Sequence, residues 1–507
     1  MDPAPSLADH AIARRFRQIA DILEIQGENP FKVRAYRTAA DTIDQLEDPL
    51  VDIDGRGALG DLSGFGPAIV AKTRDFLATG TTALWERVKD AVPPGVVALA
   101  GVPGVGPKAA KLLHESLGVD SIEAADAAAA EGRIQALPGY GAAKEAALRE
   151  RIAAWKRLSA RIPRWRALPL AESLAADLRR RSGDESVAVA GDLRAGRCEV
   201  ECIEIEASDP GAHADFPSDI DGIPVRVVAA QDAFPGVPWE IRHLPDRVEE
   251  VRSGTLRLIE ESDFRAQLHE HTTWSDGKAS IVEMAEAALS RGYSHLAITD
   301  HSRSLVVANG LSRERLLAQL DEIDAARAAF AARGLALLSG LEADILADGS
   351  LDMDDDVLDR LDIVVASVHI RHKEDRDAMT ARIATALANP RCDILGHPSG
   401  RLLGRREAYP VDMDAVIQAA VRHGKALEIN ASPERMDLDD HWVARGREAG
   451  AVFSVNSDAH STAGLGLLPW GLCMARRGGL AASDVINTWP LERLRAWTAA
   501  HRAGGTG

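Results

Sequence analysis

HLAITDH (295–301), LALLSGLEAD (335–344) and DIVVASVH (362–369) decide the fold of the second half of this chain. Each is a short run rich in Leu, Ile, Val and Ala, and each ends on a histidine or a carboxylate. Runs of that length and composition predict strands covered on both faces, as in a parallel sheet. Four further runs belong with them: RAQLHEH (265–271), CDILGHP (392–398), KALEINA (425–431) and AVFSVNSDAH (451–460). Helical stretches separate all seven. Seven βα units predict a closed or nearly closed parallel barrel, related to the eight-fold one.

Barrels of this kind place their chemistry at the C-terminal ends of the strands. Six of the seven ends carry metal-ligand residue types: His269, His271 and Asp276; His301; Glu342; His369; His397; and Asp458 with His460. His269 and His271 lie two apart on a strand, so they share a face. A lone histidine after an apolar strand is more often a packed or capping residue. Nine ligand types at equivalent ends need another explanation. Imidazole suits zinc, manganese or iron, and carboxylates admit harder ions. Nine ligands exceed the capacity of one tetrahedral ion, so two or three divalent ions are expected, some bridged by carboxylates. A multi-metal centre lowers the pKa of a bound water and neutralises charge on phosphoryl and leaving oxygens. That chemistry is phosphate-ester hydrolysis.

The strings LHEHTTWSDG, ITDHS, GLEADI, ASVH, LGHP and NSDAH resemble the successive motifs of the PHP (polymerase and histidinol phosphatase) family, over about residues 264–475. The resemblance implies a distorted seven-stranded βα barrel with a trinuclear site. It carries the metal-ligand role to all nine residues above, with His269, His271 and Asp458 counted as catalytic as well. Beside His397, GHPSGRLLGRREAYPVD (396–412) supplies Arg401, Arg405 and Arg406. Arginine forks suit phosphate, so these three are candidate substrate contacts; a solvated basic loop is the blander alternative. Trp274 offers a face for stacking on a base or ribose, or simple packing, and Asn430 stands at a strand end.

The front of the chain is built differently. An apolar lead-in, a Gly-x-Gly turn and a helix occur three times, in LSGFGPAIVAKTRDFL (62–77), LAGVPGVGPKAAKLLHESL (99–117) and IQALPGYGAAKEAALRERI (134–152). Glycine permits the positive φ of a tight hairpin, and Pro67 and Pro107 suit the first turn of the helix that follows. Backbone amides converging at such a turn favour an anion. This is the helix-hairpin-helix design for gripping a DNA phosphate, with Gly64, Gly66, Gly104, Gly106, Gly139 and Gly141 as candidate contacts. One copy alone would be an ordinary helical turn; three with the same flanks are not. Residues 164–262, with the β-like runs SVAVAGDL (186–193), CEVECIEIEA (198–207) and PVRVVAA (224–230), predict a small α+β unit.

With IADILEIQGENPFKVRAYRTAADTI (19–43), the first two hairpins and LPGYG (137–141), the front half resembles bacterial family X DNA polymerases that carry a C-terminal PHP domain. The resemblance implies a first region that binds a 5′-phosphate at a gap and a second that binds duplex backbone. It also marks Lys72 as a candidate Schiff-base nucleophile, which would need a lowered pKa; a surface lysine near a phosphate is the plainer alternative. In the palm the chain departs from the family. GDLRAGRCEVECIEIE (191–206) puts Asp192 where serine is expected, and Cys202 and Glu204 where two metal-binding aspartates belong. Cysteine is a poor ligand for magnesium, and the stretch before the barrel is short. A degenerate polymerase site is the expectation.

The formal net charge of −18 argues against a generic basic coat for nucleic acid. No apolar run is long enough to span a bilayer, and MDPAPSLADH has no leader character. The cysteines Cys198, Cys202, Cys392 and Cys473 fit neither a zinc ribbon nor a disulfide framework, which suits a reducing cytoplasm.

The expected organisation is a helical DNA-end-binding domain (1–90), a fingers-like hairpin region (91–163), a shortened palm-like domain (164–262) and a PHP phosphoesterase domain (263–507). The expected activity is 3′–5′ exonucleolytic or 3′-end processing of gapped or 3′-recessed DNA in repair, contacted mainly at phosphates. No membrane partner is expected, and oligomeric state is open. A histidinol-phosphatase-type small-molecule phosphatase and a non-catalytic DNA-binding scaffold are the alternatives.

Overall fold

The computed structural model describes residues 7–43, 46, 49–213, 215–220, 222–229 and 234–503. Residues 1–6, on which much of the leader argument rests, lie outside that range, as does Ala230 at the end of the third palm run. The chain forms two compact units: residues 1–193 with 200–230, and residues 194–199 with 231–507. The expected palm-like segment is therefore divided between them, and its last part packs with the barrel unit.

The first unit holds two apolar cores. Helices Leu7–Ile25 and Pro30–Ile43 pack together around Phe16, Ile19, Leu23 and Tyr36. The same core extends through Leu99, Leu113, Ile134 and Ile152, which come from the hairpin segments. All three hairpins share one turn. The amides of Phe65, Val105 and Tyr140 donate to the carbonyls of Leu62, Val102 and Leu137, and Gly64, Gly104 and Gly139 sit between at φ of 78°, 78° and 80°. A Cβ on Gly104 would lie 2.9 Å from the Arg151 guanidinium carbon, so the turn is closed against that side chain. The helices that follow run Pro67–Thr79, Gly106–Leu117 and Ala142–Ser159.

The second core joins helix Arg164–Ser182 to a four-stranded sheet in the order Ala188–Val189, Ile203–Ala207, Ile223–Ala229, Asp219–Ile220. Ile203, Ile205 and Ala207 face that core, which turns Glu204 and Glu206 to the other side.

In the second unit the seven barrel strands run in sequential, parallel order: Ala266–Gln267, His295–Ile298, Ala336–Asp344, Ile363–Ser367, Ile394–Leu395, Ala426–Asn430 and Val452–Asn456. Alternate positions divide between two apolar clusters. Leu296, Leu337, Val364, Leu427 and Phe453 meet the surrounding helices. Ala266, Ala297, Leu338, Ile363, Ile394 and Ala426 form a separate plug with Ile486, Trp489 and Leu494.

The first and seventh strands meet through one bridge, Glu270 to Ala459. Side chains do the rest of the closure. Leu268 N donates to Asn456 Oδ1 at 3.2 Å, Ser457 N to Gln267 Oε1 at 3.0 Å, and Ala459 N to Glu270 Oε2 at 2.8 Å. Helix starts around the barrel are capped by Ser280, Ser312, Asp375, Asp412 and Asp439, each accepting an amide of the first turn. Among the described residues no helix is long and apolar enough to cross a membrane, and none of the four cysteines is in a disulfide.

Candidate metal centre

The strand ends bring all nine expected ligands to one mouth, with Glu342 at its centre. Glu342 Oε2 lies 2.7 Å from His301 Nδ1, 3.4 Å from His269 Nε2 and 3.6 Å from His271 Nε2. Its Oε1 lies 3.0 Å from His397 Nε2 and 3.2 Å from His369 Nε2. One carboxylate thus faces five imidazoles, with a different set at each oxygen, as a bridging ligand would. Asp458 Oδ1 is 3.0 Å from His271 Nε2, and Asp276 Oδ1 is 3.4 Å from His460 Nε2 and 3.6 Å from His301 Nε2. Three overlapping sets each place their donor atoms within 4.8 Å of one another: His271, Asp276, His301 and His460; His269, His271 and Asp458; and His301, Glu342 and His369.

Donor chemistry and burial both fit divalent ions. Among the described residues, His269 Nε2, both ring nitrogens of His271, His397 Nδ1 and Glu342 Oε2 are buried without a hydrogen-bond partner. Polar atoms left so in a protein interior are costly. The His271 ring stacks between those of His301 and His460, at 4.2 and 4.3 Å. Burial, then the charge of His301, pushes His271 down to about 3, so it stays neutral with its lone pair available. Glu342 is held well below the carboxylate range although burial opposes this, because His369, His269 and His301 surround it.

A second layer orients these ligands. His269 Nδ1 donates to Glu428 Oε1 at 2.7 Å, and the remaining Glu428 oxygen accepts the His397 amide at 2.7 Å and Asn430 Nδ2 at 3.2 Å. His369 Nδ1 donates to Asp344 Oδ1 at 2.9 Å. Each bond turns the Nε2 of its histidine into the cluster, the usual arrangement behind metal-bound imidazole. Asp300 accepts from Thr272 N (2.8 Å), Ser275 N (3.1 Å) and Gln319 Nε2 (2.6 Å), which fixes the loop carrying Asp276. Two of the nine candidates, His397 and Asp458, adopt φ of 27° and 52°. Side-chain-bearing residues rarely hold that backbone, and sites that impose it are commonly functional.

Sequence inspection missed Glu428, Asp344 and Asp300. The signal for Glu428 was available: a carboxylate in the middle of KALEINA must be paired if that strand is buried on both faces.

The candidate substrate arginines fare differently. Arg401 is no free phosphate contact, because its guanidinium is consumed within the fold. Nε donates to the Arg435 carbonyl at 3.0 Å, Nη1 to Asp439 at 3.1 Å, and Nη2 to the Met436 carbonyl. Arg405 is exposed and pairs with Glu434 at 3.0 Å. Arg406 is half-buried and donates through Nε to the Gly400 carbonyl at 2.9 Å. Trp274 is packed against the barrel core and its Nε1 donates to Glu322 at 3.0 Å. In the first unit, Lys72 Nζ donates to the Ala68 carbonyl at 3.0 Å and lies 6.0 Å from the Tyr36 ring centroid. Burial, then the charge of Lys32, lowers its pKa.

Comparison with known proteins agrees with both units. Family models match a helix-hairpin-helix domain at residues 8–82, a SAM-like helix-hairpin-helix tandem at 96–154 and the PHP domain at 267–432. The last match stops short of Asp458 and His460. The chain is 32% identical to the DNA polymerase/3′-5′ exonuclease PolX of Bacillus subtilis (strain 168), over 96% of this chain and 98% of that protein. That alignment spans 566 positions against the 507 residues here, so the relative carries segments this chain lacks. A probable phosphatase of Thermoanaerobacter sp. (strain X514) is 31% identical over 43% of this chain and 89% of its own length. One from Enterobacter sp. (strain 638) is 30% identical over 46% and 93%. With helix-hairpin-helix modules in front, a PHP barrel behind and a full-length relative above 30% identity, the chain belongs to the bacterial PolX family.

Proposed function

We propose that this protein is a divalent-metal-dependent DNA phosphodiesterase acting as a 3′–5′ exonuclease or 3′-end processing enzyme in repair. The carrying observation is the convergence of nine His, Asp and Glu side chains on one barrel mouth, in a chain whose other unit repeats a phosphate-gripping hairpin three times. Bound divalent ions would supply activation of water and neutralisation of phosphoryl charge. The chain's own residues do the positioning. Glu342, His269, His271 and Asp458 would hold divalent ions, together with His369 and His397 on one flank of the cluster and Asp276, His301 and His460 on the other. Glu428 and Asp344 keep the imidazoles turned inward. The hairpins at Gly64–Gly66, Gly104–Gly106 and Gly139–Gly141 hold the DNA backbone, and Lys72 stands near that grip as a secondary group. The four expected domain boundaries remain our reading of how these tasks are divided.

The palm-like sheet is proposed to have lost templated synthesis. Among the described residues it holds no cluster of three or more His, Cys, Asp and Glu donors within reach of one ion, and Cys202 and Glu204 stand where the family places aspartates.

End-labelled 3′-recessed duplex incubated with Mn²⁺, with and without chelator, tests the activity directly. His269→Ala with His271→Ala should reduce cleavage to background while duplex affinity stays near wild type; equal cleavage by that variant eliminates the proposal. The probable phosphatases that match less than half of this chain favour a second reading, a small-molecule phosphatase. Faster turnover of a phosphomonoester than of recessed duplex would select it.

A further inference from the structure

Arg435 lies in the loop ASPERMD (431–437) after the sixth barrel strand, and sequence inspection passed over it. Its Nε is 4.0 Å from Asp458 Oδ2, and 19% of its side chain is exposed. Its Nη1 is buried and has no hydrogen-bond partner among the described residues. The backbone beneath it is fixed: its amide donates to Ser432 O at 2.8 Å, and its carbonyl accepts Arg401 Nε at 3.0 Å.

A second guanidinium is close enough to feel it. Burial, then the charge of Arg435, lowers the pKa of Arg406, and Asp437 only partly offsets this. The carboxylates in reach are already engaged. Asp437 accepts the amides of Ser399 at 3.1 Å and Gly400 at 2.9 Å, and Asp458 faces the imidazoles. A partly buried guanidinium with an unpartnered buried N–H, as at Arg435, is costly unless an anion joins it. Guanidinium forks match phosphoryl oxygens, and here they stand at the edge of the metal-ligand cluster.

We propose that Arg435, assisted by Arg406, is the phosphoryl-gripping subsite beside the metal cluster, holding a non-bridging oxygen of the ester to be cut. The proposal rests on the phosphoesterase reading and adds the residue that seats its substrate.

The test is calorimetric binding of inorganic phosphate to the full-length Mn²⁺-loaded protein, with metal content measured on the same samples. Arg435→Gln should weaken phosphate binding by about tenfold or more with metal content unchanged. Arg435→Lys should recover part of that loss. Arg445→Gln, which removes a surface pair with Asp414, should match wild type. Displacement of phosphate by 3′-recessed duplex rather than by a small phosphomonoester would assign the subsite to DNA; the reverse would assign it to metabolites. Wild-type affinity in Arg435→Gln overturns the proposal, as does a loss that merely follows lost metal. Wild-type protein that binds phosphate yet cuts no ester would instead remove the phosphoesterase reading and leave the subsite standing.

Discussion

Glu342 and Glu204 both sit on parallel strands, yet their surroundings differ in every respect that matters for cations. Glu342 is 1% exposed and meets five imidazoles from four other strand ends. Glu204 stands opposite Arg226 on the neighbouring strand and packs so closely over Gly191 that a Cβ there would lie 1.8 Å from its Oε2. Arg226 brings a positive charge to the strand beside Glu204; the five imidazoles around Glu342 bring ring nitrogens whose lone pairs can go to an ion. Carboxylate count alone therefore says little. What separates a metal centre from an acidic strand is whether the neighbours donate lone pairs or positive charge.

Four substitutions probe that contrast. Glu428→Gln should cost about 10–100-fold in metal affinity, because His269 loses its charged acceptor and one Glu428 oxygen becomes a donor facing donors; titration of the metal-free protein with Mn²⁺ or Zn²⁺ reads this directly. An unchanged affinity would mean the inward face needs no support. Gly104→Val forces a branched side chain to φ 78° against Arg151, at a cost on the order of 1–3 kcal/mol in the hairpin. Duplex affinity should fall, while turnover of a small phosphodiester stays at the wild-type rate. Gly396→Ala places a methyl 2.3 Å from Ser367 Oγ inside the barrel and should destabilise the protein by about 1–3 kcal/mol, seen as a lower thermal midpoint. Cys202→Ala should change DNA cleavage hardly at all, and stability within about 0.5 kcal/mol. A marked loss of cleavage there would return the palm-like sheet to the chemistry.

The barrel was legible because its signal is local. Each strand is a short apolar run and each ligand follows directly, so HLAITDH and DIVVASVH announce both strand and donor. Hairpins were legible for the same reason, since Gly64, Gly104 and Gly139 each serve a four-residue turn. What escaped notice depends on distant parts of the chain. Arg401 looked like a phosphate contact because it follows His397 by four residues, but residues 435–439 wrap its guanidinium. Arg435, far along the sequence from most of the ligands, ends beside Asp458. Glu428 makes sense only once His269, some 160 positions earlier, is known to face it. The division into two units was hidden too, since residues 194–199 leave the palm-like segment to join the barrel unit.

The closure of the barrel has a further consequence. Where strands pair by backbone alone, the hydrogen bonds persist through almost any replacement of side chain. At this seam Gln267, Glu270 and Asn456 supply the acceptors themselves, so a single codon change can remove a rung. Heritable variation can thus reach the fastening of this cylinder directly, and one substitution at the seam would loosen the wall that carries the candidate donors.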